Sequence, residues 1–158
     1  MHLEDYEVGR KVEIGRWLFT AEDIVRFAKK YDPQPFHLSE EAGRKGPFKG
    51  LAASGWHTCA VWMKLMIAFQ IRMAKERMAA GLPVGRAGPS PGFTDLKWRT
   101  PVFAGDTLTY FAEALETRPS GSRPGWGLVK ALNTAVNQHG EEALRFTSTV
   151  FVETRPAA

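Results

Sequence analysis

Residues Ala53-Ser54-Gly55-Trp56-His57-Thr58-Cys59-Ala60-Val61-Trp62-Met63-Lys64-Leu65-Met66 open the most hydrophobic run of the chain, and what that run forms decides the fold. Ser54 is suited to cap a helix, because its hydroxyl can accept from an unpaired amide of the first turn. Apolar residues at Trp56, Cys59, Ala60, Trp62, Met63, Met66, Ile67, Phe69 and Met73 cover most of the circumference of a helix from about Gly55 to Met78. A helix apolar nearly all round is normally buried. At about 1.5 Å per residue it would run roughly 35 Å, enough to cross a small domain. Its charges, Lys64, Arg72, Lys75, Glu76 and Arg77, gather toward the far end, which is expected to reach solvent.

Working outward, the segment Tyr31-Asp32-Pro33-Gln34-Pro35-Phe36-His37 precedes that run. It sets an acid and a histidine five positions apart, and its two prolines are expected to hold it out of a helix. Upstream, Thr20-Ala21-Glu22-Asp23 has the outline of a capping box, and Ile24, Phe27 and Ala28 give one apolar helical face. Pro33 disfavours a helical residue before it, so the helix should stop by Asp32 and leave that residue extended at its exit. Lys11 to Phe19 alternates like a strand interrupted at Gly15, after an entry arm from Met1 to Gly9. Ser39 can start a short helix through Lys45, and Gly46 to Gly50 is a loop.

Downstream, Gly81 to Gly92 holds three prolines and four glycines and reads as a loop. Strand-like runs follow at Phe93–Phe103, Thr107–Thr117, Gly127–Val136 and Ala143–Thr154. Arg118 to Gly125 is a turn insertion, and Asn137-Gln138-His139-Gly140 is a hairpin turn with glycine supplying positive φ. One strand, short helices, one long helix and four strands predict an α+β fold: an antiparallel sheet against a buried helix, in a single domain over residues 1–158.

Composition narrows the function classes. The 158 residues are 44% hydrophobic and 24% charged, ordinary for a globular protein. The net charge of +4 comes from scattered basic residues, with no run that reads as a nucleic-acid footprint. Cys59 is the only cysteine, so no internal disulfide can form. Glu4, Asp5 and Glu7 near the start and the lack of an apolar signal core argue against a secretory leader. Lys64, Gln70 and Arg72 interrupt the longest apolar run, which argues against a membrane span. A cytoplasmic protein is expected.

Three segments, in order, resemble the MaoC-like acyl dehydratases, the R-specific enoyl-CoA hydratase family on the hot-dog fold. Asp32-Pro33-Gln34-Pro35-Phe36-His37 is similar to the family's Asp-x-x-Pro-x-His. Ala53-Ser54-Gly55-Trp56 opens the central helix. Leu96-Lys97-Trp98-Arg99-Thr100-Pro101-Val102-Phe103-Ala104-Gly105-Asp106-Thr107-Leu108 is similar to the strand and turn ending Pro-Val-x-x-Gly-Asp. The resemblance implies a sheet wrapped around the long helix, at least a homodimer, and no cofactor or metal. The implied activity adds or removes water across the 2,3 double bond of an enoyl thioester carried on CoA or an acyl-carrier protein. By the same resemblance Asp32 and His37 handle protons, the Gly55 amide binds the thioester oxygen, and Phe36, Ser54 and Trp56 meet the substrate. Two alternatives share these residues: thioester hydrolysis, and acyl-thioester binding without catalysis. The second draws on Ala60, which stands where many hydratases carry a small hydroxyl residue.

Other polar residues have structural expectations. His57 should lie along the helix surface or toward a neighbouring subunit, and His2 and His139 should be solvated. His2, His37, His57 and His139 show no metal-ligand spacing. Cys59 should be a small buried hydrophobe, and Met63, Met66 and Met73 core packing. Asp106 should satisfy backbone amides in its turn, and Asp95 should be partly buried beside Lys97 or Arg99.

Overall fold

Strand-forming runs separated by turn residues give one five-stranded antiparallel sheet in the order β1-β3-β4-β5-β2. The computed structural model describes residues 1–156. After a 3-10 turn at Leu3–Asp5 come β1 (Lys11–Leu18), α1 (Ala21–Tyr31), α2 (Pro35–Leu38), α3 (Glu40–Lys45) and α4 (Gly55–Ala79). The remaining strands are β2 (Gly92–Trp98), β3 (Thr107–Pro119), β4 (Trp126–Val136) and β5 (Glu142–Glu153). Ile14, Leu108, Tyr110, Ala135, Leu144 and Phe146 of the sheet share one core with Val61 of α4. This is the expected hot-dog arrangement.

The predicted caps form. Thr20 Oγ1 accepts from the Asp23 amide at 3.2 Å, Ser39 Oγ from Ala42 at 3.1 Å, and Ser54 Oγ from Trp56 at 3.2 Å. Gly140 takes φ 81° in the β4–β5 turn. The register of β1 against β3 slips between Glu13 and Gly15. A Cβ on Gly15 would lie 3.0 Å from Leu65 Cδ2, so bare backbone there lets α4 settle on the strand.

Three expectations need correction. Residues Pro35–Leu38, with His37 among them, form a one-turn helix, because proline is favoured at a first helical position, where its missing N–H would be unpaired anyway. Only one side of α4 is buried: Trp56, Met63, Ile67 and Ile71 are about half exposed at helical spacing. Met63 therefore belongs to this outer stripe, whereas Met66 packs on the core. Finally, β2 ends at Trp98 rather than Phe103, and it carries a bulge: Thr94 pairs Thr147, whereas Lys97 pairs Arg145. The extra residue leaves Asp95 exposed at φ 58°, bonded by the Thr94 hydroxyl and not by Lys97 or Arg99.

The far end of α4 is tied down. The buried Asp5 carboxylate meets Arg77 at 3.0 Å, bonds Arg155, and accepts from the His2 amide at 2.8 Å. His2 is buried with this cluster, contrary to the expected solvated arm, because Asp5 draws the arm onto the helix end. Among the described residues no helix is long and apolar enough to cross a membrane.

Candidate active site

The dyad is assembled by the exit from α1 and the turn of α2. Asp32 follows the last residue of α1 with φ −153° and ψ 69°, out of helical conformation as Pro33 requires. α2 then turns the chain so that His37 Nε2 comes 3.4 Å from Asp32 Oδ2. His37 is 5% exposed, with Phe36 edge-on to its ring at 4.5 Å. Its Nδ1 lies 2.6 Å from the Ala52 carbonyl. A carbonyl only accepts, so Nδ1 carries a proton and Nε2 is the ring nitrogen turned to the carboxylate.

Ala52 is itself fixed on both sides. Its amide donates to the Phe36 carbonyl at 3.2 Å, and the adjoining Ala53 amide donates to Val102 at 2.7 Å. The segment leading into α4 is thereby held between α2 and the β2–β3 connection. There Asp106 takes its expected place, accepting from the Phe103 amide at 2.8 Å.

Ser54 joins the dyad to α4. It is 1% exposed, its oxygen accepts from the Trp56 amide, and its hydroxyl favours the ionised form of Asp32. Burial disfavours the ionised Asp32, but Ser54, the Gln34 amide at 2.8 Å and the His37 imidazole outweigh it and hold the carboxyl below its ordinary value. The carboxylate and the imidazole Nε2 thus point at each other at 3.4 Å, longer than a good charged hydrogen bond. Water, which both donates and accepts, matches that pair.

Beside them, the Ser54 carbonyl takes the amides of His57 at 2.9 Å and Thr58 at 3.3 Å. With Trp56 N–H on Ser54 Oγ, the Gly55 N–H is the one donor of that first turn without an acceptor among the described residues. It sits at the positive end of a 25-residue helix. Trp56, the next residue, is 53% exposed. Ala60 is exposed on the same outer side. A cleft of about 310 Å³ at Glu40, Lys49, Gly50, Leu51, Phe103 and Ala104 is lined by none of the dyad residues.

His57 departs from its expected place. It is 7% exposed, stacked on Phe27 at 4.6 Å and edge-on to Phe19 at 5.0 Å, because its side of α4 is the side that α1 covers. His139 is exposed in its turn, as expected. Cys59 is partly buried, and burial pushes its thiol up against the weaker pull of Trp98 and Thr58. Trp98 was not anticipated at the site. Its indole lies against Gly55, and the Leu96–Leu108 segment of sequence gave no sign of which way it would face.

Known proteins share this architecture. A MaoC-like dehydratase from Rhodospirillum rubrum is 39% identical, with a TM-score of 0.82 and 99% of each chain covered. The R-hydratase PhaJ1 of Pseudomonas aeruginosa, 23% identical with a TM-score of 0.64, covers 98% of this chain and 86% of its own, a likeness of fold. The uncharacterized protein YdeM of Bacillus subtilis is 30% identical over 138 residues, 87% of this chain and 89% of that protein. The MaoC like domain matches residues 5–123, three quarters of the sequence, and the chain therefore belongs to the MaoC-like family.

Proposed function

We propose that this protein is a hydro-lyase that adds water to, or removes it from, the 2,3 double bond of an enoyl thioester borne on CoA or an acyl-carrier protein. The observation that carries this reading is the pair of the buried His37 and the partly exposed Asp32 beside the free Gly55 amide. In hydration, a water held between the two attacks C3. The water loses one proton to the pair and C2 gains one from the pair, so that OH and H add across the double bond and the pair ends as it began. Charge that builds on the thioester oxygen meets the Gly55 N–H at the helix end, where an oriented donor needs no rearrangement. The product is the 3-hydroxyacyl thioester, and the same groups run the reverse reaction. Phe36 and Trp56 would contact the acyl group, while the buried Ser54 acts by aligning Asp32 and the helix cap.

A homodimer completes the site in this reading. The exposed Trp56, Met63, Ile67 and Ile71 stripe and the edge strand β2, with half-exposed Phe93 and Trp98, are apolar surfaces that a second copy would cover. The test is hydration of crotonyl-CoA and longer and branched enoyl-CoAs, followed by loss of the enoyl absorbance. Turnover that disappears in His37→Ala is expected. Release of free thiol without hydration would instead identify a thioesterase.

A further inference from the structure

Gly55 is the residue whose backbone the proposed chemistry uses, and nearly every atom of that backbone is restrained. The peptide before it is held through the Ser54 carbonyl, which accepts from His57 and Thr58. The peptide after it is held at both ends. Its N–H, that of Trp56, donates to Ser54 Oγ. Its oxygen, that of Gly55, accepts from Thr58 Oγ1 at 2.6 Å and from Trp98 Nε1 at 2.9 Å. All these partners except Trp98 belong to the first turn of α4 or its cap.

Trp98 comes from the edge strand of the sheet, and its ring lies on Gly55 itself. A Cβ placed there would sit 2.6 Å from both Cδ2 and Nε1 of the indole, closer than real Cβ atoms approach. Glycine is thus required at 55 because an indole occupies the space a side chain would need. Trp56 packs edge-to-face on the outer side of that indole at 5.3 Å.

The bulge in β2 aims Trp98. Phe93 pairs Ser148 and Trp98 pairs Leu144, both on the side facing α4, where Phe93 also meets Phe146 at 6.0 Å. Positions 93 and 98 are five apart, so in an unbroken strand they would face opposite sides. The extra residue at Asp95 brings both to the helix side.

We infer that Trp98 is a positioning residue for the Gly55 amide: a strut from the sheet that pins the Gly55 carbonyl and packs on Gly55 itself, and so fixes the residue whose free N–H is aimed at the thioester oxygen. This rests on the hydro-lyase reading above. A donor fixed before reaction stabilises developing charge without reorganisation, and that benefit appears in the transition state more than in ground-state binding.

The experiment uses full-length Trp98→Phe, which keeps a ring over Gly55 but removes the N–H, and Trp98→Ala, which removes both. Trp62→Phe is the control: it removes another indole N–H bond, 3.1 Å to Asn133 Oδ1, two helical turns along. Trp98→Phe should lower kcat for enoyl-CoA hydration about tenfold with KM within about twofold, and Trp98→Ala should lower kcat further, because small misplacements of reacting groups are costly. Trp62→Phe should shift the melting temperature without that selective loss of kcat. Circular dichroism confirms which variants are folded. Should Trp98→Ala fail to fold, Trp98→Phe against Trp62→Phe decides alone. An active wild type with unchanged kcat in Trp98→Phe, or with equal kcat losses in the two Phe variants, overturns the strut alone. A wild type inactive on every enoyl thioester removes the hydro-lyase reading, and the strut with it.

Discussion

Two histidines of this molecule are buried to nearly the same degree, His37 at 5% exposed and His57 at 7%, and they could hardly be equipped more differently. His37 has a partner at each ring nitrogen, the Ala52 carbonyl and the Asp32 carboxylate. His57 lies among Phe19 and Phe27, and its Nδ1 has no hydrogen-bond partner. Burial pushes the His57 imidazole down to about 4, with Arg26 adding to the fall and Asp23 opposing it. The contrast teaches that enclosure alone silences an imidazole. A partner at each ring nitrogen is what sets His37 apart.

The contrast can be broken most sharply by kinetics. His37→Ala should lower kcat by at least ~10²-fold, the usual contribution of a positioned acid or base, while His57→Phe leaves turnover unchanged. Asp32→Asn should match His37→Ala in direction and order, because the amide cannot exchange a proton as the carboxylate can; its melting temperature should stay near wild type. Activity retained in either dyad variant would take the chemistry away from this pair.

Stability should show the reverse order. His57→Ala opens a cavity between α1 and α4 and should cost roughly 2–4 kcal/mol in urea unfolding. His57→Phe fills the same place, deletes the unpartnered nitrogen, and should gain about 1 kcal/mol. If His57→Phe is instead strongly destabilising, an unseen hydrogen bond matters more than the aromatic packing.

The pH dependence sharpens the contrast further. The folded protein keeps His57 neutral down to about 4, while the unfolded chain protonates it near 6.5, so unfolding takes up a proton between those values. Stability from this group is complete above 6.5 and drains away as pH falls toward 4. His57→Phe should flatten that part of the profile. Asp5 behaves differently: the His2 amide, Arg155 and Arg77 hold its carboxyl below its ordinary value against the burial that would raise it. Its contribution is therefore lost only below the ordinary carboxylate range of about 4, and Asp5→Asn should alter the acid limb alone.

Features set by neighbouring residues were legible in the sequence. The three caps, the exit of α1 ahead of Pro33, the start of α4 at Gly55 and the glycine of the β4–β5 turn each depend on a few adjacent positions. The Asp32–His37 motif was legible as a pattern, and the fold brings the two side chains together. What could not be read depends on packing between distant elements. Because α4 is apolar around most of its girth, the pattern gives no phase, so neither the outer stripe from Trp56 to Ile71 nor the burial of His57 was visible. His2 looked solvated because Asp5, Arg77 and Arg155 are far apart in sequence. Trp98 was hidden because its direction depends on where β2 breaks step with β5.

That break in step makes the edge strand behave like text with a reading frame. Most substitutions between Phe93 and Trp98 change one letter and leave the rest in place. Deleting Asp95 would leave Phe93 and Trp98 four apart, both still facing the helix in an unbroken strand, whereas one residue inserted beside Asp95 with the bulge kept would shift the frame, turning the indole outward and sending the side chain of Lys97 toward the helix.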